Sequence, residues 1–473
     1  MRTVDRKVWT GLILAVALSC LPSWAQQNQF ALLGTLVTPT EVIENGVILV
    51  AGEKIEAIGK DVKVPAGTKV IDTGGFIYPG LIDLHDHLTW NFLPRWKPNR
   101  EFANRYEWQA VPEYKIVLTT PEGKAFDEGL ACDTEQYAEV KAIVGGATSV
   151  IGSLNQWNQK PDKQKCIEGL ARNLDFYSGL YPAHPDKPGN VEKLRNEVFP
   201  LELPEGEVTN INKALGDGTL TAFIVHLAEG KPTDAAANRE FRMLKARGFV
   251  RPGVSIIHGV ALHQLEFQQM HDTQVGLIWS PRSNIALYGD TTDVRAAKQA
   301  QLTMAIAPDW SPTGSDGMLQ ELKYAATWNA GQSPPVFTDA ELVQMATINP
   351  AKLAKVNSMI GSLAPNYFAD LLVVKSREKD AYRALLHANP SDVALVVIGG
   401  IPAYGDPELM EKLAPRAELE TVHVCGVPKS LDFQSEKLLQ GTNPKSWKQT
   451  TEDLNRSLNE WGETLAHLTE CPN

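Results

Sequence analysis

Residues 76–87 read Phe76-Ile-Tyr-Pro-Gly-Leu-Ile-Asp-Leu-His85-Asp-His87, an apolar run closed by two histidines two positions apart. In extended chain, side chains alternate faces, so both imidazoles are expected to point at one spot, as two ligands of one metal ion must. A lone His-x-His pair is common by chance, and a lone His or Asp closing an apolar run is more often a core residue or a helix cap. Here the pair has company. His226 sits in Phe223-Ile-Val-His-Leu-Ala-Glu229, His258 follows Ile256-Ile257, and Asp309 closes Met304-Ala-Ile-Ala-Pro. Five such residues, each ending a strand-like run and separated by helix-like stretches, predict strands of a (β/α)8 barrel delivering ligands to their carboxyl ends. The expected fold class is therefore α/β, a TIM barrel whose chemistry is metal-dependent hydrolysis.

The bulk properties agree. The chain has 473 residues, enough for a large barrel with an accessory domain, and 43% hydrophobic against 21% charged residues gives material for a full core. A net charge of -11 argues against a nucleic-acid partner, because phosphate binding needs a basic face. Arg2, Arg6 and Lys7 precede an apolar run from Val8 to Leu21, and Ser23-Trp-Ala25 offers small residues before Gln26, the layout of a secretory signal peptide. The run is short for a membrane span and no later one is long enough, so the expectation is an exported, periplasmic or secreted chain with no stable membrane span after signal removal. Cys132, Cys166, Cys425 and Cys471 then remain. An even number in an exported chain suggests two disulfides, and proximity favours Cys132–Cys166 and Cys425–Cys471 without excluding other pairings.

Short β runs with turn signals fill residues 30–77 and return in Ala369-Asp-Leu-Leu-Val-Val and Val393-Ala-Leu-Val-Val-Ile. Both flanks are expected to build one small β-sandwich domain. The expected organisation is a signal peptide over 1–25, the β-sandwich over 26–78 and 360–419, the barrel over 79–359, and a helical extension over 420–473. Strands are expected at Ile77–His85, Thr148–Ile151, Leu220–His226, Val254–His258, Val275–Ser280 and Met304–Asp309, with two more hidden in Leu174–Tyr181 and Glu197–Leu203. Trp90 to Cys132, rich in Trp, Pro and charge, is too long for a plain connection and is expected to cover the strand ends and carry specificity.

These residues resemble the amidohydrolase superfamily. Pro79-Gly-Leu-Ile-Asp-Leu-His-Asp-His87 is similar to its first barrel strand, and His226-Leu-Ala-Glu229 to the His-x-x-Glu of its fifth. His258-Gly resembles the sixth strand, Ser280-Pro-Arg-Ser-Asn284 the seventh, Asp309 the eighth, and Ile360-Gly-Ser-Leu-Ala-Pro the return into its β domain. The branch it most resembles holds cytosine-, guanine- and adenosine-type deaminases and triazine hydrolases. Two departures stand out. Binuclear members bridge two metals through a modified lysine ending the fourth strand, whereas Glu197–Leu203 offers none and Lys193 and Lys213 read as helical. The usual small residue after the aspartate of the eighth strand is here Trp310.

The missing lysine favours one divalent ion, Zn2+ before Fe2+, and the resemblance implies that His85, His87, His226 and Asp309 hold it with a position left for water, whose pKa coordination lowers to about 7. Asp309 is expected to take a proton from that water. His258 would complete the coordination or donate to a developing oxyanion. Glu229 would pass a proton to a leaving nitrogen, although it could be a turn residue. Trp90, Arg282, Asn284 and Trp310 are the expected contacts of a small-molecule substrate; for Arg282 and Asn284 a merely loop-shaping role is equally open. The remaining histidines, His263 and His271 included, are read as without function. The leading expectation is hydrolysis of a C–N bond, in an amide or a heterocyclic amine; the resemblance favours deamination, export favours a broad amidohydrolase. The alternatives are a binuclear esterase, lactonase or dipeptidase, or a non-catalytic binding scaffold. Oligomeric state is open.

Overall fold

The first four strands, β1 (Gln29–Val37), β2 (Val42–Ala51), β3 (Lys54–Gly59) and β4 (Lys69–Pro79), pair in the order β3-β2-β1-β4 in a computed structural model of the chain. The structure describes residues 29–152, 169–175, 180, 193–415, 417–435 and 445–471. The expected signal segment and Cys166 lie outside them. β1 runs antiparallel to β2 and parallel to β4, with Ala31, Leu32 and Leu36 fully buried.

Gly80 separates β4 from the next strand. A Cβ there would lie 2.1 Å from Thr148 Oγ1, so only glycine lets the chain pass. The expected strand Ile77–His85 is therefore two elements: β4 ends at Pro79 in the outer sheet, and only β5 (Leu81–Ile82) starts the parallel series. That series continues through β6 (Ala147–Val150), β7 (Arg172–Asn173), β8 (Leu194–Glu197), β9 (Ala222–Leu227), β10 (Val254–His258), β11 (Gly276–Trp279) and β12 (Met304–Ile306). β5-β6-β7 form one parallel sheet and β8 to β12 another. An isolated parallel bridge between Asp86 and Asp309 joins the two just past β5 and β12. The third strand ends just before its expected window, and the fourth meets its window only at Glu197. Lys193 is not helical but precedes β8, at the amino end opposite the site, while Lys213 lies in the helix Glu205–Asp217.

Alternation sorts the apolar residues. Ala222 and Ile224 of β9, Ile257, Ile278 and Ala305 pack together in one cluster. Phe223, Val225, Ile256, Leu277 and Ile306 pack instead with helix residues such as Phe241, Leu244, Phe267 and Leu322. The helices Ala131–Val144, Ala237–Ala246, Gln264–Asp272 and Met318–Ala330 cover that second face.

The C-terminal flank returns as β13 (Leu371–Val374), β14 (Val393–Ile398), β15 (Ile401–Gly405), β16 (Glu420–Val424) and β17 (Val427–Leu431). β13 pairs antiparallel with β4, so both flanks join as expected, but in a single nine-stranded sheet rather than two sheets of a sandwich. Residues 420–431, expected to begin a helical extension, form the β16–β17 hairpin at its edge; the extension helix is Trp447–Asn459. The Cys425–Cys471 disulfide forms, tying the tail to that hairpin. No helix of the described residues is long and apolar enough to cross a membrane.

Candidate metal centre

His85 and His87 do not sit in a strand, because β5 stops at Ile82 and the chain bends at Leu84 and His85. The spacing works through another device. Asp309 N–H donates to the His85 carbonyl at 2.9 Å and His87 N–H to the Asp309 carbonyl at 3.0 Å, so one bridge holds residues 85–87 extended beside Asp309. His226 continues the row of Ala222 and Ile224 toward the same point.

His226 Nε2 lies 3.0 Å from His85 Nε2 and 3.2 Å from His87 Nε2. Asp309 Oδ1 lies 3.1 Å from His85 Nε2 and 3.5 Å from His87 Nε2. A tetrahedral zinc site with bonds of about 2.0–2.2 Å has edges of roughly 3.3–3.6 Å, so the spacing suits such an ion. His258 belongs to the group as well, since its ring offers an atom within 4.8 Å of ligand atoms of His85 and His226. Burial pushes all four imidazoles below the ordinary histidine range, leaving them neutral and able to donate lone pairs. All are buried but His87, whose side chain is 25% exposed.

Neighbours set the ring orientations. His258 Nδ1 donates to Asn284 Oδ1 at 2.8 Å, which turns its Nε2 lone pair toward Glu229 Oε2 at 3.6 Å. His85 Nδ1 pairs with Ser280 Oγ at 2.7 Å, which lets Nε2 face Asp309. Glu229 is buried, and burial pushes its carboxyl up to about 7, against the pull of Arg105. Tyr288 O–H donates to Glu229 Oε1 at 2.7 Å and receives the Trp108 indole N–H at 2.7 Å. Glu229 is thus no surface turn residue. Its second oxygen faces the imidazoles.

Three residues here take left-handed backbone: Ala228 (φ 52), His258 (φ 67) and Asp309 (φ 73). For non-glycine residues this costs on the order of 1–3 kcal/mol each and clusters at functional sites. At His258 the reason is visible. Its parity along β10 matches Val254 and Ile256, which face the helices, and the left-handed turn brings the ring to the other side.

The expected substrate contacts divide. Trp90 and Trp310 stand beside the centre, with ring centroids 5.2 Å apart and Trp310 5.9 Å from His87. Trp90 also stacks on Tyr114, and Trp108 lies 5.8 Å from Trp310, so the 90–132 insertion supplies an aromatic wall. Arg282 is not placed to hold substrate: its guanidinium pairs with Glu470 of the tail at 2.7 Å. Asn284 orients His258, and its amide lies within 3.3 Å of Thr291 Oγ1. Trp279 packs in the helix layer against Trp328 and Phe337. His263 and His271 are exposed. Ser280, Ser283, Tyr288 and Trp108 escaped sequence reading. The only signal for the first two was their place in Ser280-Pro-Arg-Ser-Asn284.

Comparison with known proteins gives three kinds of likeness. A model of the amidohydrolase family matches residues 203–402. A 5-methylthioadenosine/S-adenosylhomocysteine deaminase of Pyrococcus furiosus is 22% identical over 72% of this chain and 83% of its own. An adenosine deaminase of Xanthomonas campestris, solved with bound zinc, superposes with a TM-score of 0.63 at 18% identity, over 79% of this chain and 92% of the other. An atrazine chlorohydrolase of Arthrobacter aurescens, complexed with zinc, gives 0.60 at 17% identity, over 79% and 95%.

Proposed function

Because the chain belongs to the amidohydrolase superfamily, we propose that it is an exported, mononuclear metal-dependent hydrolase that deaminates a heterocyclic amine with water. The observation that carries this reading is the convergence of three imidazole nitrogens and one carboxylate oxygen at 3.0–3.5 Å, with Glu229 one imidazole away. The nucleoside deaminases and triazine hydrolase among its relatives favour deamination over ester, lactone or dipeptide cleavage. On this reading the eight parallel strands close into a barrel around the centre.

His85, His87, His226 and Asp309 would hold a zinc-type ion, with His258 on the flank. Such an ion supplies an activated water at neutral pH. The chain's own residues do the rest. Asp309, whose carboxyl burial raises, accepts a proton at Oδ1, the oxygen that faces the imidazoles. Glu229, near 7, carries a proton at Oε2 while Tyr288 fixes Oε1, and can pass it to a substrate nitrogen. His258, oriented by Asn284, presents its Nε2 toward Glu229. Trp90 and Trp310 give a flat ring a stacking wall.

A single ion is favoured by what stands at the carboxyl end of β8. No lysine follows Leu194–Glu197 there. Instead buried Arg105, from the insertion, donates from Nη1 to the Val198 carbonyl at 2.7 Å. A guanidinium at that place disfavours a second cation.

Two measurements test the reading on secreted protein. Elemental analysis should find about one transition-metal ion per chain, lost in Asp309→Asn. Ammonia release across a panel of aminopurines, aminopyrimidines and aminotriazines should identify at least one substrate. Two ions per chain, or amide cleavage without ammonia release from any ring, would refute it.

A further inference from the structure

Asp309 uses only one oxygen toward the imidazoles. Its other oxygen, Oδ2, accepts from Ser283 Oγ at 2.5 Å. Ser283 Oγ lies 2.9 Å from Thr313 Oγ1, and Thr313 Oγ1 lies 2.5 Å from the Trp310 indole nitrogen. All four residues are buried, Ser283 fully, so no bulk water completes the pattern. The two ends of this chain leave its hydrogens no choice. An indole N–H can only donate, so Thr313 Oγ1 accepts there; an ionised carboxylate can only accept, so the single Ser283 hydrogen goes to Asp309. Thr313 must then donate its own hydrogen to Ser283.

We propose that Ser283 and Thr313, set in one direction by the Trp310 indole N–H, are positioning residues that hold Asp309 Oδ1 toward the metal centre. Trp310 thereby has two roles. Its ring is a wall of the substrate space, 5.9 Å from His87, while its N–H is committed inward and offers no hydrogen bond to substrate. The loop is built for this contact: Gly314, where a Cβ would lie 1.9 Å from the Pro308 carbonyl oxygen, lets residues 310–315 fold back under Asp309. A bulky residue directly after the aspartate is thus tolerated because its polar atom is tied into the support of that aspartate. Substitutions meant to open the substrate wall at Trp310 should also loosen the centre, which couples specificity to metal retention.

The inference rests on Asp309 being a ligand, so the test reads metal binding and not turnover. Metal-free full chain is titrated with zinc against a chromophoric chelator, and cobalt-loaded protein is followed by its visible spectrum. Ser283→Ala should weaken zinc binding about 10–100-fold, as loss of a partner behind a ligand does, and shift the cobalt bands. Ser283→Thr, which keeps the hydroxyl, should recover most of that loss. Trp310→Phe and Thr313→Val should each weaken zinc by about tenfold, and together by no more than the worse single change, because they cut one chain. The metal-free melting temperature should follow none of these losses, since a merely structural role would move it. Zinc affinity of Ser283→Ala equal to that of the unaltered chain, failure of Ser283→Thr to recover it, or losses that multiply in the double variant would overturn the proposal. Should Ser283→Ala not fold, the Trp310/Thr313 cycle decides alone. An unaltered chain that binds no zinc would refute the proposed function itself, a different outcome.

Discussion

Replacing Glu229 by Gln should move activity and stability in opposite directions. The side chain is buried, with Oε1 receiving the Tyr288 hydroxyl and Oε2 3.6 Å from His258 Nε2. Glutamine keeps the shape and the Tyr288 bond but cannot exchange a proton, so turnover should fall by about 10²–10⁴-fold. Stability follows from the carboxyl's folded value of about 7 against an ordinary 4.5. The folded state holds this proton where the unfolded chain has released it. Native stability therefore declines as pH climbs from about 4.5 to about 7 and levels off above. At 1.36 kcal/mol per unit the decline is on the order of 3 kcal/mol. Metal-free Glu229→Gln should lack it, being close to the unaltered protein at pH 4.5 and more stable by up to about 3 kcal/mol at pH 8. Urea unfolding of both metal-free proteins at the two pH values, with ammonia release assayed alongside, measures both effects. Turnover within tenfold of the original, or a variant less stable at pH 8, would refute the placement of Glu229 as a buried proton carrier.

Three further outcomes follow from residues around the centre. Arg282→Ala should leave KM within about twofold, because the guanidinium serves Glu470 and not substrate; steady-state kinetics on the substrate found checks it. Lys141→Met should cost about 1–3 kcal/mol by chemical unfolding, since it removes the ammonium 3.1 Å from the buried Asp316 carboxylate, which keeps Arg95 at 3.4 Å and the Glu470 N–H as partners. Cys471→Ser opens a loop with a sequence separation of 46 and should cost about 4 kcal/mol by the chain-entropy relation. It should also expose the segment from Leu465 to Glu470, which Phe92, Asp316 and Gln320 now hold, to limited proteolysis.

What could be read from sequence was chemistry that announces itself by residue type in a strand-ending context. His85, His87, His226, His258 and Asp309 all meet, and Glu229 joins them. The β/α alternation and the joining of both flanks were legible because hydrophobic period and turn residues are local signals. Strand extents were not. β5 and β7 have two residues each, too short for a periodic pattern, and the division of Ile77–His85 depends on Gly80 passing Thr148, a contact 68 residues away in sequence. The sheet edge formed by residues 420–431 was missed because Pro428 and Lys429 dilute its β signal.

Supporting residues were harder for a reason that is physical and not statistical. Serine, threonine, asparagine and tyrosine acquire roles only from what they face, and these partners come from other elements. Ser280 meets His85 across 195 positions, Tyr288 meets Glu229 across 59, and Asn284 meets His258 across 26. Arg282 and Asn284 were expected at the substrate because of where the seventh strand ends. The helix Pro281–Tyr288 that starts there instead sends Arg282 to the tail and Ser283, Asn284 and Tyr288 inward. Backbone conformation closes the gap at His258. Alternation along β10 assigns it to the helix side, and only a left-handed residue, with its energetic cost, reverses that assignment. A histidine kept in such a conformation, with its Nδ1 committed to a buried amide, is what a fixed Nε2 lone pair requires. The strain and the hydrogen bond are therefore two halves of one device, and each gives the other its reason.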